Sequence, residues 1–389
     1  MGVQNLLPLL SSVSKRMNLS EFKGKRIAID GFVWLHRSAI SCAKQLVENP
    51  GTTRILSFCM RRLNQVLNCG LTPVVVFDGQ SLPQKANTNA KRHQDREENK
   101  RKALELESLG RFTDAYTYYQ RAVEITSLTV YTWIKQLRQF NIEYIVAPYE
   151  ADAEMAYLAR IGYVDIVLTE DSDLIAYQTP ITLFKFDDNC MVTCIKFEDV
   201  LSHLHLTIDE LLVVCCLSGC DYVEHHINRM GIQSAIKYVK IYSSKIDKLL
   251  SGIPSKYEVP ENYAEEISNA VLTYKSQKVF DPRDKTLKNL EPIEGESPEF
   301  LGPDLANDLL IKLVNGEIDT RTLSPIVNEN IGETSPYFVG RKDISGSQKI
   351  DQSMSRPLSP YFNKRKSESQ KISSKSSDKI TSYFDLMKK

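Results

Sequence analysis

The sequence has no run of about 18 apolar residues, so we expect no membrane-spanning helix. Residues 1–17 lack the basic segment and long apolar stretch of a secretory signal, and we expect none. None of the eight cysteines forms a C-x-x-C pair, which favours small buried side chains in a reducing compartment over zinc ligands or disulfides. The 49 basic and 49 acidic residues cancel, but a zero sum can hide separate charged patches, so a nucleic-acid partner is neither supported nor excluded.

Four short apolar runs, most of them ending in an acid, predict the strands of a sheet covered on both faces. They are Arg26–Asp30, Pro73–Asp78, Glu143–Ala147 and Asp165–Asp171. Helical patterns separate them at about 34–70, 126–140 and 149–161, and residues 207–275 are also predicted to be helical. This alternation is typical of an α/β fold with a mostly parallel central sheet, flanking helices and right-handed crossovers.

Seven acids stand at the ends of predicted elements: Asp30, Asp78, Glu150, Asp152, Asp171, Asp173 and Asp221. Ligands of open α/β sheets bind outside the carboxyl ends of the strands, so we expect these side chains to meet in one cleft. So many anions need compensation, and their hard oxygen atoms favour Mg²⁺ or Mn²⁺. Two such ions about 4 Å apart can activate a water and stabilise the leaving oxygen of a phosphodiester.

Each of these acids has a simpler explanation when it is taken alone. A single carboxylate at a strand end or a helix N-terminus is usually a cap or a dipole partner. Only the joint placement of all seven favours a metal site, and on pattern alone both interpretations stay open.

A long insertion, 80–125, separates the second and third strands in the sequence. Its first half is polar and basic, and Lys85, Arg92 and Arg96 fall near one face if the segment is helical. Its second half, Gly110–Ile125, has a small amphipathic helical pattern. Charge alone favours a solvated helix face for the basic half.

Six motifs occur in order along the chain: Met1–Gln4 (MGVQ), Trp34–His36 (WLH), Val76–Gly79 (VFDG), Tyr149–Glu154 (YEADAE), Thr169–Leu174 (TEDSDL) and Leu217–Tyr222 (LSGCDY). Together they resemble the flap-endonuclease/XPG superfamily of 5′ nucleases. The WLH, YEADA and SGCDY motifs are most similar to the exonuclease 1 branch. The resemblance covers about residues 1–285.

The resemblance implies that two magnesium ions share the seven acids, with Mn²⁺ as a substitute. The first ion is held by Asp30, Asp78, Glu150 and Asp152. The second is held by Asp171, Asp173 and Asp221. The implied activity is 5′→3′ degradation of double-stranded DNA with cleavage of 5′ flaps, in mismatch repair, end resection and recombination. The implied substrate is duplex DNA with a free 5′ end, nick, gap or flap, bound by a nuclear monomer.

The resemblance also gives the basic insertion a role as a helical gateway over the active site. Gly110–Ile125 resembles the cap that closes this gateway, which favours strands with a free 5′ end. Lys85 and Arg92 are then expected to contact the scissile phosphate and stabilise its developing charge. Phe32 and His36 match positions where the family stacks aromatic rings against bases near the junction. Gly2 and Arg96 are further implied DNA contacts.

The family carries a helix–two-turn–helix after its last acid, with a Gly-x-Gly hairpin that binds duplex phosphates beside a monovalent cation. This chain has Arg229 in place of one glycine and a loop one residue longer, which argues against the cation. Backbone N–H groups at such a hairpin still donate to phosphates. We therefore expect Gly231 and Lys237 to hold the duplex, with Arg229 as a direct phosphate contact.

Aromatic peptides recur in the Ser-rich segment after about residue 340 and just before it, around Tyr337–Phe338, Tyr361–Phe362 and Tyr383–Phe384. Ile380 completes the spacing of a degenerate sliding-clamp box, and the peptides also resemble short motifs that dock on MutL-type mismatch-repair proteins. The alternative is a disordered segment whose aromatic side chains have no partner. The basic triplet Lys364–Lys366 hints at nuclear import.

The implied organisation has five parts: a nuclease region with the start of the gateway (1–99), a cap and connection (100–137), a nuclease region with the helix–two-turn–helix (138–285), an extension packing on the core (286–339) and a disordered tail (340–389). Two rival functions stay open. One is a replicative flap endonuclease with little exonuclease activity, and the other is a catalytically idle DNA-binding scaffold for repair proteins.

Overall fold

The structure is a computed structural model that describes residues 2–326, except for the side chains of Asn87 and Thr88. Nine strands lie within this range: β1 (Lys15–Asn18), β2 (Arg26–Asp30), β3 (Thr72–Phe77), β4 (Glu143–Val146), β5 (Ile166–Leu168), β6 (Ile181–Phe184), β7 (Met191–Lys196), β8 (Lys278–Asp281) and β9 (Thr286–Asn289).

The same range contains fifteen α-helices, joined in places by short 3₁₀ turns. They are α1 (Leu6–Leu9), α2 (Gly31–Ala39), α3 (Ala43–Glu48), α4 (Leu56–Asn68), α5 (Ala86–Ser108), α6 (Phe112–Ala122), α7 (Ser127–Gln139), α8 (Ala151–Arg160), α9 (Asp173–Ala176), α10 (Phe197–Leu204), α11 (Ile208–Ser218), α12 (Ile232–Tyr242), α13 (Ile246–Gly252), α14 (Tyr263–Ser276) and α15 (Asn307–Val314).

Seven strands form one sheet in the order β1-β7-β6-β5-β2-β3-β4. The five strands from β6 to β4 pair in parallel, and β7 pairs antiparallel with both β6 and β1. The predicted α/β fold with a mostly parallel central sheet is confirmed. The antiparallel edge was not predicted, since β1 (KRMN) carries no alternating apolar pattern.

Both faces of this sheet are buried, as parallel strands require. Along β2, Ala28 packs into one hydrophobic cluster while Ile27 and Ile29 pack into the other. Helices α8 and α11 cover the first face, and α4 and α7 cover the second. The alternation follows from the two-residue period of a strand, and it fixes which way each strand's terminal acid points.

The order of the strands reverses at β2, because later strands are added first on one side of it and then on the other. Strands β2, β3 and β4 are laid down outward in one direction, and the chain then crosses back so that β5 pairs with the free side of β2. Crevices at such a switch point are where open α/β sheets bind ligands. The junction of β2 and β5 is therefore the place to look for a site.

The insertion after β3 folds into a helical hairpin of α5 and α6 that pack against each other. Its return arm is fastened to the body of the protein, because the Tyr116 hydroxyl donates to the carbonyl of Ile40 at 3.0 Å. We call this hairpin the arch. Among the described residues no single helix is long and apolar enough to cross a membrane, although α10 and α11, bent by 83°, reach that length and composition together.

Candidate metal centre and nucleic-acid interface

The switch point brings together the acids that follow β2 and β5. Asp30 ends β2 and caps α2, accepting the backbone N–H of Val33 at 3.1 Å. The Thr169 hydroxyl, just after β5, donates to the other oxygen of Asp30 at 3.0 Å and accepts the N–H of Asp171 at 3.0 Å. Cap and bridge together hold Asp30 and Asp171 at one edge of the sheet.

A second pair of segments meets beside them. The N–H of Ala151, the first residue of α8, donates to Asp78 at 2.8 Å, which ties the end of β3 to the start of α8. Glu150 is the residue that precedes α8, and Asp152 lies in its first turn. The helix dipole favours anions at this position, and the charges of Asp78 and both acids act on one another.

Asp173 is a buried acid whose hydrogen bonding is incomplete. Its N–H donates to Asp171 at 3.0 Å, and it is 3% exposed. Within residues 2–326 its buried Oδ1 finds no hydrogen-bond partner. A buried carboxylate oxygen without a partner is costly, and a bound cation would satisfy it.

The acids repel one another strongly in this cleft. Burial, together with the charge of Asp78, raises the pKa of Asp30 to about 7, and burial raises the pKa of Asp78 to about 6. Burial and the charge of Asp171 raise the pKa values of Asp152 and Asp173 well above the ordinary range. This is the electrostatics of a site that attracts cations.

Two basic side chains enter the cleft from the base of the arch. The Lys85 ammonium lies 2.6 Å from Glu150 Oε1 and 3.5 Å from Asp221 Oδ2. Arg92, on α5, reaches Asp221 at 3.7 Å and leaves about half of its side chain, 51%, exposed. Burial opposes the charge of Asp221, but Lys85 and Arg92 outweigh it and hold the pKa of Asp221 below its usual range.

Gly2 lies against the acids at the other side of the cleft. Its φ of +78° is in the left-handed region, and a Cβ there would stand 2.0 Å from Asp171 Oδ1 and 2.7 Å from Asp173 Oδ1. The Ser172 hydroxyl donates to the carbonyl of Val3 at 3.2 Å and fixes this segment. Only glycine can approach the carboxylates so closely.

The seven acids are therefore gathered, and their oxygen atoms are the ligands that Mg²⁺ or Mn²⁺ prefers. In the described part of the chain, however, no three acidic, histidine or cysteine side chains already stand in positions to share one ion. Lys85 occupies the space between Glu150 and Asp221 instead. The donor set fits divalent cations, and their number and exact ligands stay predictions.

Comparison with known proteins shows which family has a similar sequence. Sequence models of the XPG N-terminal domain and the XPG I-region match residues 1–99 and 141–221. Exonuclease 1 of Arabidopsis thaliana is 36% identical over 340 residues, covering 85% of this chain and 46% of that protein. The DNA damage-inducible protein DIN7 of Saccharomyces cerevisiae is 33% identical over 368 residues, covering 90% of this chain and 85% of that protein.

The chain belongs to the exonuclease 1 branch of the XPG family. It spans about half the length of the exonuclease 1 relatives it matches, such as the Arabidopsis protein at 46%. A crystal structure of the Holliday junction-resolving enzyme GEN1 with product DNA and Mg²⁺ has a TM-score of 0.52 and 22% identity, and it covers 73% of this chain and 66% of that chain. This likeness supports the XPG nuclease fold.

Three further predicted DNA contacts of this XPG-family chain lie near the base of the arch. Phe32 and His36 stand one turn apart on α2, with ring centroids 6.3 Å apart. Burial, with the charges of Arg96 and Arg92, lowers the pKa of His36 to about 4, so His36 is neutral at neutral pH. Arg96 pairs with Glu124 at 3.2 Å, and DNA would have to compete for it.

Gly231 caps the start of α12 and Lys237 lies midway along it, and both residues are exposed. Arg229, two residues before Gly231, adopts φ +62°, the left-handed conformation that a glycine would take most easily. The arginine thus keeps the backbone of a glycine-bearing hairpin while adding an exposed guanidinium. The predicted partner motifs, Tyr337, Phe338, Tyr361, Phe362, Ile380, Tyr383 and Phe384, lie outside the described residues.

Sequence reasoning missed three residues that hold the site together. Thr169 bridges Asp30 and the backbone of Asp171. Gln84 donates to the carbonyl of Tyr222 at 2.9 Å and accepts the Thr273 hydroxyl at 2.8 Å, which fastens the base of the arch beside Lys85. The side chain of Tyr222 contacts both Glu150 and Lys85. Each of the three stands within two residues of a predicted site residue (Asp171, Asp221 or Lys85), and this proximity in the sequence was the signal that could have identified them.

Proposed function

We propose that the chain is a Mg²⁺-dependent nuclease that degrades double-stranded DNA 5′→3′ and cuts 5′ flaps. The observation that carries this proposal is the cleft itself, where the charges of the seven acids act on one another and Lys85 and Arg92 enter from the base of the arch. An anionic cleft alone would repel a phosphodiester. Cations between the acids and basic groups above them make it a phosphate site.

Two divalent ions are proposed, divided as the family resemblance implies. The first would be held by Asp30, Asp78, Glu150 and Asp152. The second would be held by Asp171, Asp173 and Asp221. When bound, such ions activate a water and neutralise the leaving oxygen. GEN1, which is similar in fold, was crystallised with product DNA and Mg²⁺, and this supports a divalent metal here.

The chain's own residues orient the strand to be cut. Lys85, held between two acids, is placed to exchange Glu150 or Asp221 for a phosphate oxygen once cations occupy the acids. The exposed guanidinium of Arg92 offers a second, planar contact to the same phosphate. Phe32 and the neutral ring of His36 would stack on bases beside the cleft, and Gly2 would allow the strand to approach the acids closely.

The duplex would be held away from the cleft. Gly231 starts α12 with exposed backbone, and Lys237 projects from the same helix into solvent. Both can contact backbone phosphates, which position DNA without reading its sequence. Arg229 supplies a positive charge in the hairpin where the family binds a monovalent cation, so we propose no cation there.

The decisive experiment is cleavage of one duplex labelled at either end, with and without Mg²⁺. We expect 5′-labelled duplex to release short products first, while 3′-labelled duplex gives a descending ladder. Omission of Mg²⁺ should stop both reactions. Release of short products from the 3′ label first would refute the polarity, and unchanged cleavage in a chelator would refute the metal requirement.

The two rival functions differ from this proposal in measurable ways. A replicative flap endonuclease would share the cleft, but it would cut a 5′ flap and leave blunt or nicked duplex nearly intact. If the chain is an idle scaffold, the wild type and the Asp173→Ala variant should bind DNA equally well, and neither should cut it. The relatives' names, exonuclease 1 in several eukaryotes, favour the exonuclease.

We further propose repair and recombination in the nucleus as the setting, a monomeric chain, and the five segment boundaries 1–99, 100–137, 138–285, 286–339 and 340–389. The aromatic peptides around Tyr361 and Tyr383 are proposed to bind a sliding clamp or a MutL-type protein. A pull-down with each partner, using the full chain and a chain ending at residue 339, tests this. Equal capture by both chains would contradict a role for the last 50 residues.

A further inference from the structure

A row of buried polar groups stands behind Glu150, and the acidic motifs do not account for it. The Tyr222 hydroxyl hydrogen-bonds Glu150 Oε2. It also lies 2.6 Å from the hydroxyl of Tyr177, which in turn lies 2.6 Å from the side-chain amide of Gln277. Tyr222, Tyr177 and Gln277 are all buried, at 3% exposure or less. The row therefore runs from the core of the protein to the cleft.

The number of protons in this row decides its direction. Lys85 donates to the other oxygen of Glu150, so Glu150 acts as the acceptor of Tyr222. If Tyr177 donates to Gln277 Oε1, the two phenols have spent both of their protons. The contact between the two hydroxyls would then have no proton. The amide nitrogen of Gln277 would also be buried without a partner.

Turning the Gln277 amide by 180° resolves both problems, since the two orientations fill the same space. Its N–H then donates to Tyr177, Tyr177 donates to Tyr222, and Tyr222 donates to Glu150. Three donors serve three contacts, and only one carbonyl oxygen stays without a partner. Hydrogen bonds in such a chain polarise one another, so each donor strengthens the next.

We propose that Gln277, Tyr177 and Tyr222 form a directed hydrogen-bond relay that holds Glu150 in position as a ligand of a divalent cation. The proposal rests on the proposed function for the role of Glu150. Metal ligands are regularly oriented by such hydrogen bonds from behind, which fix their rotamer and preserve their negative charge. All three are positioning residues, because none of them would touch DNA or metal.

The relay also keeps Lys85 and Glu150 together. The Lys85 ammonium lies 4.5 Å from the centroid of the Tyr222 ring, on the same residue whose hydroxyl binds Glu150. Replacing Tyr222 by phenylalanine keeps that ring and removes only the donor. Tyr222→Phe therefore separates the relay from the cation–π contact.

Tyr274 offers a matched control. Its ring packs edge-on against Tyr177 and Tyr222, with centroids 5.0 and 4.9 Å away, but its hydroxyl takes no part in the relay. Tyr274→Phe removes a buried hydroxyl from the same aromatic group. If the three rings matter only through packing, Tyr177→Phe and Tyr274→Phe should behave alike.

The test measures Mn²⁺ binding to the full chain without DNA. The electron paramagnetic resonance signal of free Mn²⁺ reports how much of the ion remains unbound. We expect Tyr222→Phe to bind about tenfold more weakly, Tyr177→Phe about threefold more weakly, and Tyr274→Phe as tightly as the wild type. Excess Mg²⁺ should restore the kcat of Tyr222→Phe, which a general loss of structure would not allow. Thermal unfolding in a chelator checks that each variant is folded.

Two results would overturn the relay: Mn²⁺ binding by Tyr222→Phe at the wild-type level, or equal weakening by Tyr177→Phe and Tyr274→Phe. Because binding is measured without DNA, a wild-type chain that binds Mn²⁺ but cuts nothing would refute the proposed activity and leave the relay intact. A wild-type chain that binds no Mn²⁺ would refute both.

Discussion

Asp173 combines deep burial with an oxygen atom that has no partner among the described residues, and it faces the charges of Asp171 and Asp221. The charge of Lys85 offsets part of the cost, but burial and the neighbouring acids outweigh it and raise the pKa of Asp173. Like charges held close together lower the stability of the protein that carries them, and active sites commonly accept this cost. The cleft is therefore a place where a single substitution should separate stability from activity.

Asp173→Asn should raise the melting temperature in a chelator by about 2 °C and abolish cleavage. Asparagine cannot ionise, so the variant avoids the cost of burying this carboxylate among like charges, and it keeps the shape of the side chain. Added Mg²⁺ should stabilise the wild type more than the variant, so the difference should shrink or reverse. Differential scanning calorimetry with and without Mg²⁺ measures both effects.

The matched control is Asp165→Asn, the same change just before β5 and away from the acids of the site. Asp165 pairs with Lys25 at 2.9 Å and accepts the N–H of Arg26 at 2.8 Å, so its charge is compensated. This variant should gain no stability in a chelator and should keep its activity. A wild-type melting temperature equal to or above that of Asp173→Asn in a chelator would contradict the repulsion argument.

Arg229 is a second residue at which stability and function are expected to separate. Its backbone is strained, and its exposed side chain is a proposed phosphate contact. A non-glycine residue at φ +62° costs about 1 kcal/mol, and glycine would relieve it. Arg229→Gly should therefore stabilise the chain by about that amount and weaken duplex binding. Chemical unfolding gives the first quantity, and binding isotherms at several salt concentrations give the second.

If Arg229 contacts one phosphate, the slope of log affinity against log salt should fall by about 1 in Arg229→Gly. Lys237→Ala on the neighbouring helix should lower it by a similar amount without changing stability. A variant that keeps the wild-type slope would exclude its residue from the duplex contact. The two residues are thus tested independently.

At the scale of elements, α8 must be held firmly because Glu150 and Asp152 stand at its start. Its middle is anchored to the β8–β9 hairpin by Glu154, which is fully buried and accepts the N–H of Phe280 at 2.7 Å. Burial raises the pKa of Glu154 to about 8, which makes a neutral side chain the natural occupant. One turn further, Tyr157 donates to Asp281 at 2.8 Å.

Glu154→Gln should therefore leave stability and cleavage nearly unchanged, since the amide keeps an acceptor for Phe280. Glu154→Ala should lower the free energy of unfolding by about 1–3 kcal/mol, because it strands a buried N–H. Urea unfolding of both variants tests the anchor. A glutamine variant as unstable as the alanine variant would show that the negative charge itself is needed.

The elements that sequence reasoning could identify are those whose signal is local. The apolar run of β3 and the period of α7 are visible within a few residues, and the structure has them within one or two positions of the predicted bounds. β1 has no such signal. It exists because Lys15–Asn18 pair with residues more than 170 positions away in β7, and Arg16 pairs with Asp187.

At the scale of the whole molecule, the distinction between local and long-range signals also explains which parts of the site could be predicted from the sequence. The acids stand at element ends, so their common edge follows from the topology of a parallel sheet. The side chains that position them come from far along the chain. Tyr222 reaches Glu150 across 72 positions, and Gln84 meets Thr273 across 189. No spacing rule connects such pairs before the fold is known.

The arch bears on how a DNA strand can enter the cleft. It begins just after Lys85 in the cleft, and both arms are fastened to the body: Glu107 on α5 pairs with Lys44, and Tyr116 on α6 donates to the carbonyl of Ile40. If the strand reaches the acids by passing beneath the fastened arch, as we propose, it has to enter by an end. We therefore expect a streptavidin block on the 5′ end of a flap to slow cleavage about tenfold, and a block on the 3′ end to have no effect.

Tyr116→Phe tests whether the fastening itself imposes this requirement. The variant keeps the ring and loses one of the two hydrogen bonds to the carbonyl of Ile40, which Gln120 also donates to at 3.2 Å, so the arch can separate from this turn more easily. Cleavage of the 5′-blocked flap should then recover in part, while cleavage of the unblocked flap stays near the wild-type rate. If the block has no effect on the wild-type protein, the strand does not pass beneath the arch, and Lys85 and Arg92 must meet the phosphate from an open side.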